Sequence, residues 1–500
     1  MHFNSWIFVF GFLPLTLIGY YALKSQASPA LAKAWLGIMS LVFYAWWSVA
    51  YLLLLLCAVV ANFYAAQLIS MQPRGRSRTL ITAAAICGNL ALLGYFKYTN
   101  FFLGIVDSTF GFSLTVPGLI LPLGISFFTF QKIAYLADVH QGLPAEKNWN
   151  NFLLFVAFFP QLIAGPIVHN QEVLPQFAHT QRGSLQWSDI AVGLALFGIG
   201  LCKKTMLADP IATYASLVFE AAAKGVPLTQ SEAWLGSFAY AFQIYFDFSG
   251  YSDMAIGLAR MFGIKLPLNF ASPYQSTSII DFWHRWHMTL SRFLRDYVYI
   301  PLGGNRRGPT RRYINLMTVM LVGGLWHGAG WSFVVWGGLH GLYLLVNHAW
   351  RALVEHHAAL RWPENIAAQL VAWATTFVAV VVAWVFFRAA TLPVALNIVG
   401  AMFDPGAGLG LRSSVAQEPQ AALLLLVLLG ALAFLAPNSQ MLLRHFEPAY
   451  GWNTRPHRPY RFEAWLAWRP SLGWALFTAA CLASSIMSFS NVGEFIYFNF

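Results

Sequence analysis

A chain of 500 residues that is 58% hydrophobic and only 10% charged, with a mean hydropathy of +0.57, carries more apolar surface than a soluble domain can bury. Its net charge of +11 is concentrated in a few loops, which reads as a membrane-topology signal and excludes a nucleic-acid partner. Apolar runs of about 18 residues or more recur along the whole length, without the ten-residue alternation of a barrel. They predict an all-α polytopic integral membrane protein of roughly 10–12 transmembrane helices with additional re-entrant or broken helices. Cys57, Cys87, Cys202 and Cys481 are scattered, lack metal-ligand spacing, and read as small core residues.

In chain order, residues 6–23 form a first span containing Pro14; no basic residue precedes it, so it is not expected to be a cleaved signal. Spans at 31–47 and 50–69 follow, separated by an aromatic turn at Trp46 and Trp47. The next loop carries Arg74, Arg76 and Arg78; placing it in the cytoplasm puts the N-terminus outside. A fourth span covers 80–96, and 101–117 is broken by Gly, Asp and Pro. Another span at 119–139 is interrupted by Pro122 and Gly124. Pro160, Gly165 and Pro166 inside apolar sequence predict a broken helix, which at membrane depth must be surrounded by protein or water. Residues 170–188 read as a polar loop, followed by spans at 190–207 and 234–262.

The last of these contains Asp247 and Asp253, two acids within one span. Two readings stand: pairing with the arginines of the following segment or capping of a helix break at Gly250, and proton relay or substrate contact. From Asp281 to Trp336, histidines and arginines crowd into otherwise lipid-facing sequence. A helical reading sets His284 and His287 at i,i+3 on one face, with Arg285, Arg292 and Arg295 on the same piece. Between Asp281 and Arg312 seven arginines face two aspartates, and Gly303-Gly304-Asn305 reads as a turn, not a phosphate cradle. His327 lies in an apolar span among Gly323, Gly324, Gly328, Ala329 and Gly330, small enough to admit a substrate to the ring. Spans at 313–326, 332–346, 367–387, 421–435 and 472–487 follow, with a basic loop of Arg444, Arg455, Arg458, Arg461 and Arg469 before the last. The whole reads as one membrane-embedded domain, 1–500, with its chemistry in about 234–348.

The motifs FDFSGYSDMAIGLARMFG, DFWHRWHMTLSRFLRDYVYIPLGGNRRG, LWHGAGWSFVVWGGLHG and FIYFNF occur in an order that resembles the membrane-bound O-acyltransferase family. The likeness covers nearly the whole chain and is strongest to the bacterial branch that includes alginate O-acetyltransferases, cellulose-acetylation proteins and the D-alanyl transfer proteins of teichoic acid. It implies that family's fold and a catalytic His in the WHG motif, here His327. It further implies a second histidine about forty positions earlier that ends FWxRWH, here His287. The resemblance also implies an acetyl donor and a polysaccharide acceptor, reached directly or through a periplasmic partner of the serine-hydrolase type.

Transfer of an acyl group from a thioester to a hydroxyl needs a base for the attacking hydroxyl and a donor for the oxyanion, and imidazole serves both. His327 is therefore expected as base and His287 as its orienting partner, with Asp247, Asp253 and Trp326 as support. His284, His340 and His348 are expected to be structural. Arg306, Arg307, Arg311 and Arg312 suit the phosphates of acetyl-CoA, the expected donor substrate; no resident cofactor or metal is expected. Two other classes are kept: a transporter, which calls for internal repeats that the chain lacks, and a metalloenzyme ligated by His284, His287 and His327 with Asp247 or Asp253 nearby. The expected location is the bacterial inner membrane, with acetyl destined for an exopolysaccharide such as alginate or cellulose.

Overall fold

The computed structural model describes all residues except 112–117, 179–184, 358–364, 413–417, 453–465, 490–492, 494 and 497–500. Arg455, Arg458 and Arg461 of the last basic loop, and most of the FIYFNF tail, lie outside the described residues. The first helices are α1 (Ile7–Gln26), α2 (Pro29–Ala45), α3 (Val49–Met71), α4 (Arg76–Phe110), α5 (Ile125–Gln141), α6 (Trp149–Ala157) and α7 (Asn170–Ala178). Next come α8 (Trp187–Ala223), α9 (Gln230–Met261), α10 (Ile279–Arg285), α11 (Met288–Leu294), α12 (Gly308–His327) and α13 (Trp331–His356). The last are α14 (Ile366–Arg388), α15 (Leu392–Phe403), α16 (Pro419–Leu435) and α17 (Leu472–Met487).

Among the described residues α1, α3, α4, α8 and α14 are long and apolar enough to cross a bilayer, and α2, α15, α16 and α17 are shorter apolar helices. The chain is an all-helical, multi-pass membrane protein. Local chemistry sets many of the ends. Ser28, Ser48 and Asn365 accept from backbone N–H groups at the starts of α2, α3 and α14, and left-handed Gly111 and Gly142 close α4 and α5.

Several boundaries differ from the sequence reading; among them, the span expected at 332–346 runs on to His356 and the one expected at 119–139 starts only at Ile125. Residues 80–96 and the first part of 101–117 form one helix, α4, since Gly104 and Asp107 inside it cost less than ending an apolar helix in lipid. The stretch 170–188 contains α7, a short helix that keeps Pro175 within it. The span at 190–207 continues through wider turns at Lys203–Ala208 to Ala223, so that Pro210 enters near the start of a regular helical stretch, where its missing N–H is tolerated. Cys57 and Cys87 are exposed on apolar helices and not core residues as expected, while Cys202 is half-buried and Cys481 buried.

The chain divides into two compact units, the first comprising Met1–Cys202, Tyr251–Leu268 and Ser439–Asn499. Its core is aromatic, with Phe3, Phe8, Phe12, Phe43 and Phe159 in mutual ring contact. The irregular stretch after α6 is interior, as its prolines require: residues 158–168 are all buried. Its polar groups are served from within the unit, where Phe159 N donates to Ser40 Oγ at 3.2 Å and Gln161 Nε2 to Phe155 O at 2.7 Å. A Cβ on Gly193 would stand 2.6 Å from Gly257 O, so glycine lets the first part of α8 and the last part of α9 touch at the backbone.

The second unit comprises Lys203–Gly250 and Asn269–Asn438. Its centre is the antiparallel pair α12 and α13. A Cβ on Gly324 would lie 2.3 Å from Phe333 O, and one on Gly337 would lie 2.4 Å from Met320 O. These glycines bring the helices close enough to lock the turn that follows His327. They serve helix packing instead of substrate approach, which corrects the expectation for Gly324; Gly328 is likewise filled, with the Phe333 ring 2.1 Å from where its Cβ would stand.

Candidate active site

His287 does not share a helix face with His284. The helix α10 stops at Arg285, Trp286 is extended, and His287 has φ 41° in the left-handed region before α11 begins. His284 is consequently exposed and His287 fully buried. A non-glycine residue held in that conformation stores strain, and the surroundings hold it firmly. Ala271 N donates to Arg285 O and Met288 N to Asn269 O, both at 3.0 Å, so residues 269–271 clamp the corner from both sides.

Asn269, itself buried, also sets the imidazole. Its Oδ1 lies 3.0 Å from His287 Nδ1 and accepts from Thr289 Oγ1 at 2.9 Å and from Thr289 N at 3.4 Å. A backbone N–H on that atom identifies it as the amide oxygen, so Nδ1 of His287 is the donor and the neutral ring keeps its lone pair on Nε2.

His327 is the last residue of α12 and is 3% exposed. Its ring centroid stands 6.4 Å from that of His287. A direct ring-to-ring hydrogen bond would bring the centroids to about 5 Å, so the two imidazoles are neighbours without being bonded to each other. The walls are aromatic. Trp326, Trp336 and Phe387 stand 4.7, 5.1 and 5.0 Å from His327, and Phe248 meets the His287 ring edge-on at 4.8 Å. Such walls keep out water and lower the local dielectric around two groups able to exchange protons.

Other residues singled out in the sequence lie elsewhere. Asp247 pairs with Lys204 at 2.6 Å, and the same amine reaches Asp209 at 2.9 Å; Asp253 accepts from Ser439 and Gln440. These partners lie outside the arginine segment, and α9 runs through Gly250 unbroken, which corrects the expectation of a capped helix break there. Arg285 pairs instead with Asp281, and Arg295 with Asp296. The exposed Arg306 and Arg307 follow the turn at Gly303 and Gly304, both at positive φ, while Arg311 and Arg312 are half-buried in the first turns of α12. Arg312 donates to His348. This cluster and His327 occupy opposite ends of one helix, with Arg312 about 23 Å from His327 along the axis. The histidines of the metalloenzyme reading are not gathered, since His284 points away, and no cluster of three or more potential metal ligands exists among the described residues.

Sequence reasoning missed Asn269, Thr289 and Phe387. Each reaches the imidazoles only through the fold; no motif or spacing announces them.

Residues 147–389, which include both histidines, match the model of the membrane-bound O-acyltransferase family. The chain is 40% identical to the peptidoglycan O-acetyltransferase of Helicobacter pylori, over 100% of this chain and 97% of that protein. It is 42% identical to a probable alginate O-acetylase of Pseudomonas aeruginosa over 81% of this chain and 75% of that one. To the teichoic acid D-alanyltransferase of Bacillus subtilis it is 30% identical over 45% of this chain and 58% of that one. With a relative at this identity aligned along almost its entire length, the chain belongs to the membrane-bound O-acyltransferase family and is an O-acyltransferase.

Proposed function

We propose that this O-acyltransferase takes acetyl from cytoplasmic acetyl-CoA and delivers it outward for O-acetylation of an exopolysaccharide of the alginate or cellulose kind, directly or through a periplasmic serine-hydrolase-like partner. The observation that carries the reading is the buried pair His287 and His327 in an aromatic enclosure. In the reaction His327 takes the proton of the acceptor hydroxyl as its oxygen attacks the thioester carbonyl. The tetrahedral intermediate collapses with cleavage of the C–S bond, and the proton passes to the leaving thiolate, so that ester and free thiol are the products. His287, with its tautomer set by Asn269, offers the Nε2 lone pair to a second donor on the acceptor and so orients it, leaving the proton of the attacking hydroxyl to His327.

The separation of the Arg306–Arg312 cluster from His327 suits a donor whose charged head and reacting carbonyl lie at the two ends of a long arm, as in coenzyme A. The cluster then lies on the cytoplasmic side and the N-terminus outside, in a bacterial inner membrane. Trp326 acts as support as a wall of the site, whereas Asp247 and Asp253 support α9 through buried networks of their own. A peptidoglycan acceptor is the second reading, favoured by the full-length alignment with the Helicobacter pylori relative. The test is acetyl transfer from labelled acetyl-CoA by the purified chain in nanodiscs, supplied in turn with exopolysaccharide, peptidoglycan fragments and candidate partner. Thiol release that requires His327 and leaves acetyl on one of these supports the reading; no thiol release with any of them contradicts it.

A further inference from the structure

Phe387 is the penultimate residue of α14 and is fully buried. Its ring meets His327 at 5.0 Å between centroids, and Phe333, Trp336 and Trp384 each at 5.2 Å. With Trp326 at 4.7 Å and Trp336 at 5.1 Å, it stands against the imidazole of His327 in direct ring contact. An alkyl carbon keeps about 3.5–4.0 Å from the carbons on either side, so a chain threaded between two rings holds their centroids about 7–8 Å apart. None of these three walls leaves that room. The reacting carbonyl meets an imidazole at a ring nitrogen, and an acetyl group carries one methyl beyond it. Each further carbon of a longer acyl group has to run alongside one of these rings.

The three walls are not equivalent. Trp326 adjoins His327 in α12 and also stands 5.9 Å from His287, while Trp336 is packed by Trp283, His340 and Trp384 as well. A change at either disturbs an imidazole or the seam between α12 and α13. Phe387 is the wall that comes from a third helix, α14. Behind it Phe333 is half-buried and occupies the place where a Cβ on Gly328 would stand. A shorter side chain at 387 therefore opens a gap beside His327 whose other boundaries, Phe333, Trp336 and Trp384, stay packed on one another or on the backbone, because a close-packed interior relaxes only in part.

We infer that Phe387 sets the size limit of the transferred acyl group, admitting two carbons and rejecting longer chains. The inference rests on the acyl-transfer reading above and gives this ring selectivity among donors, with no part in the proton transfers.

The test uses the full chain in nanodiscs, with an alginate oligomer or a peptidoglycan fragment as acceptor and acetyl-, propionyl- and butyryl-CoA competing in one vessel. Thiol release gives the total rate, and mass spectrometry gives the ratio of acylated products. One excess methylene in a tight apolar site costs about tenfold or more, so the wild type is expected to favour acetyl over propionyl by about tenfold and over butyryl by about a hundredfold. Phe387→Ala is expected to bring butyryl within about tenfold of acetyl, and Phe387→Leu to relax the ratio in part. The leucine variant carries the test if the alanine variant does not reach the membrane. Trp384→Phe loosens the packing on Phe387 but leaves that ring against His327, and is expected to keep the wild-type ratio. A wild type that uses butyryl-CoA as readily as acetyl-CoA, an unchanged ratio in the Phe387 variants, or an equal shift with Trp384→Phe overturns the inference alone. Absence of thiol release from all three donors removes the acyl-transfer reading and this inference with it.

Discussion

Asn269 Oδ1 accepts from His287 Nδ1 at 3.0 Å while also holding the Thr289 hydroxyl at 2.9 Å, so one buried amide fixes both the orientation and the tautomer of an imidazole 18 positions away. Removing the acceptor leaves a buried N–H without a partner, at about 1–3 kcal/mol. Asn269→Ala is therefore expected to lower turnover about tenfold or more at saturating acetyl-CoA, with a smaller change in donor KM. Initial rates across a donor titration check this; an unchanged kcat in protein of normal melting temperature contradicts it.

The seam between α12 and α13 gives a second prediction. Gly324→Ala and Gly337→Ala each force a methyl onto a backbone oxygen, at 2.3 and 2.4 Å, and are expected to cost about 1–3 kcal/mol and to displace His327. Gly323→Ala meets only the flexible end of Leu294, at 3.3 Å, and is expected to be tolerated. Thermal melting of the three variants in one detergent measures the contrast.

How much of this was readable in the sequence follows from how local each cause is. The last span, 472–487, coincides with α17, because an apolar run is bounded on its N-terminal side by Pro470 and Ser471. The buried break after α6 was readable from Pro160, Gly165 and Pro166. The corner at His287 was not: neither glycine nor proline marks it, and residues 269–271, distant in the chain, impose it, so an i,i+3 helical reading failed. The partners of Asp247 and Asp253 lay hidden for the same reason, since Lys204 and Ser439 are 43 and 186 positions away. His327 was singled out by its motif, whereas Asn269 and Phe387 acquire meaning only when the helices around it are assembled.

The arginine cluster yields a third prediction. The Arg306, Arg307, Arg311 and Arg312 quadruple Gln variant is expected to raise the KM for acetyl-CoA several-fold with little effect on kcat, and the difference should narrow as salt screens the charges. An unchanged KM at low salt would leave these residues as a topology signal alone.

Topology itself is testable at two exposed positions. In a background freed of native cysteines, Arg76→Cys and Arg307→Cys are both expected to react in intact cells only with a membrane-permeant reagent. Labelling of either by an impermeant reagent contradicts the cytoplasmic assignment of that loop.

The central claim is that His327 carries the chemistry, and the most direct measurement is acetyl transfer by His327→Ala, paired with its membrane level and melting temperature. A general base typically contributes about 10²–10⁴-fold, so the account predicts acetylation reduced by at least that lower factor in protein present and folded at wild-type levels. Acetylation at the normal rate by the folded His327→Ala protein would contradict it.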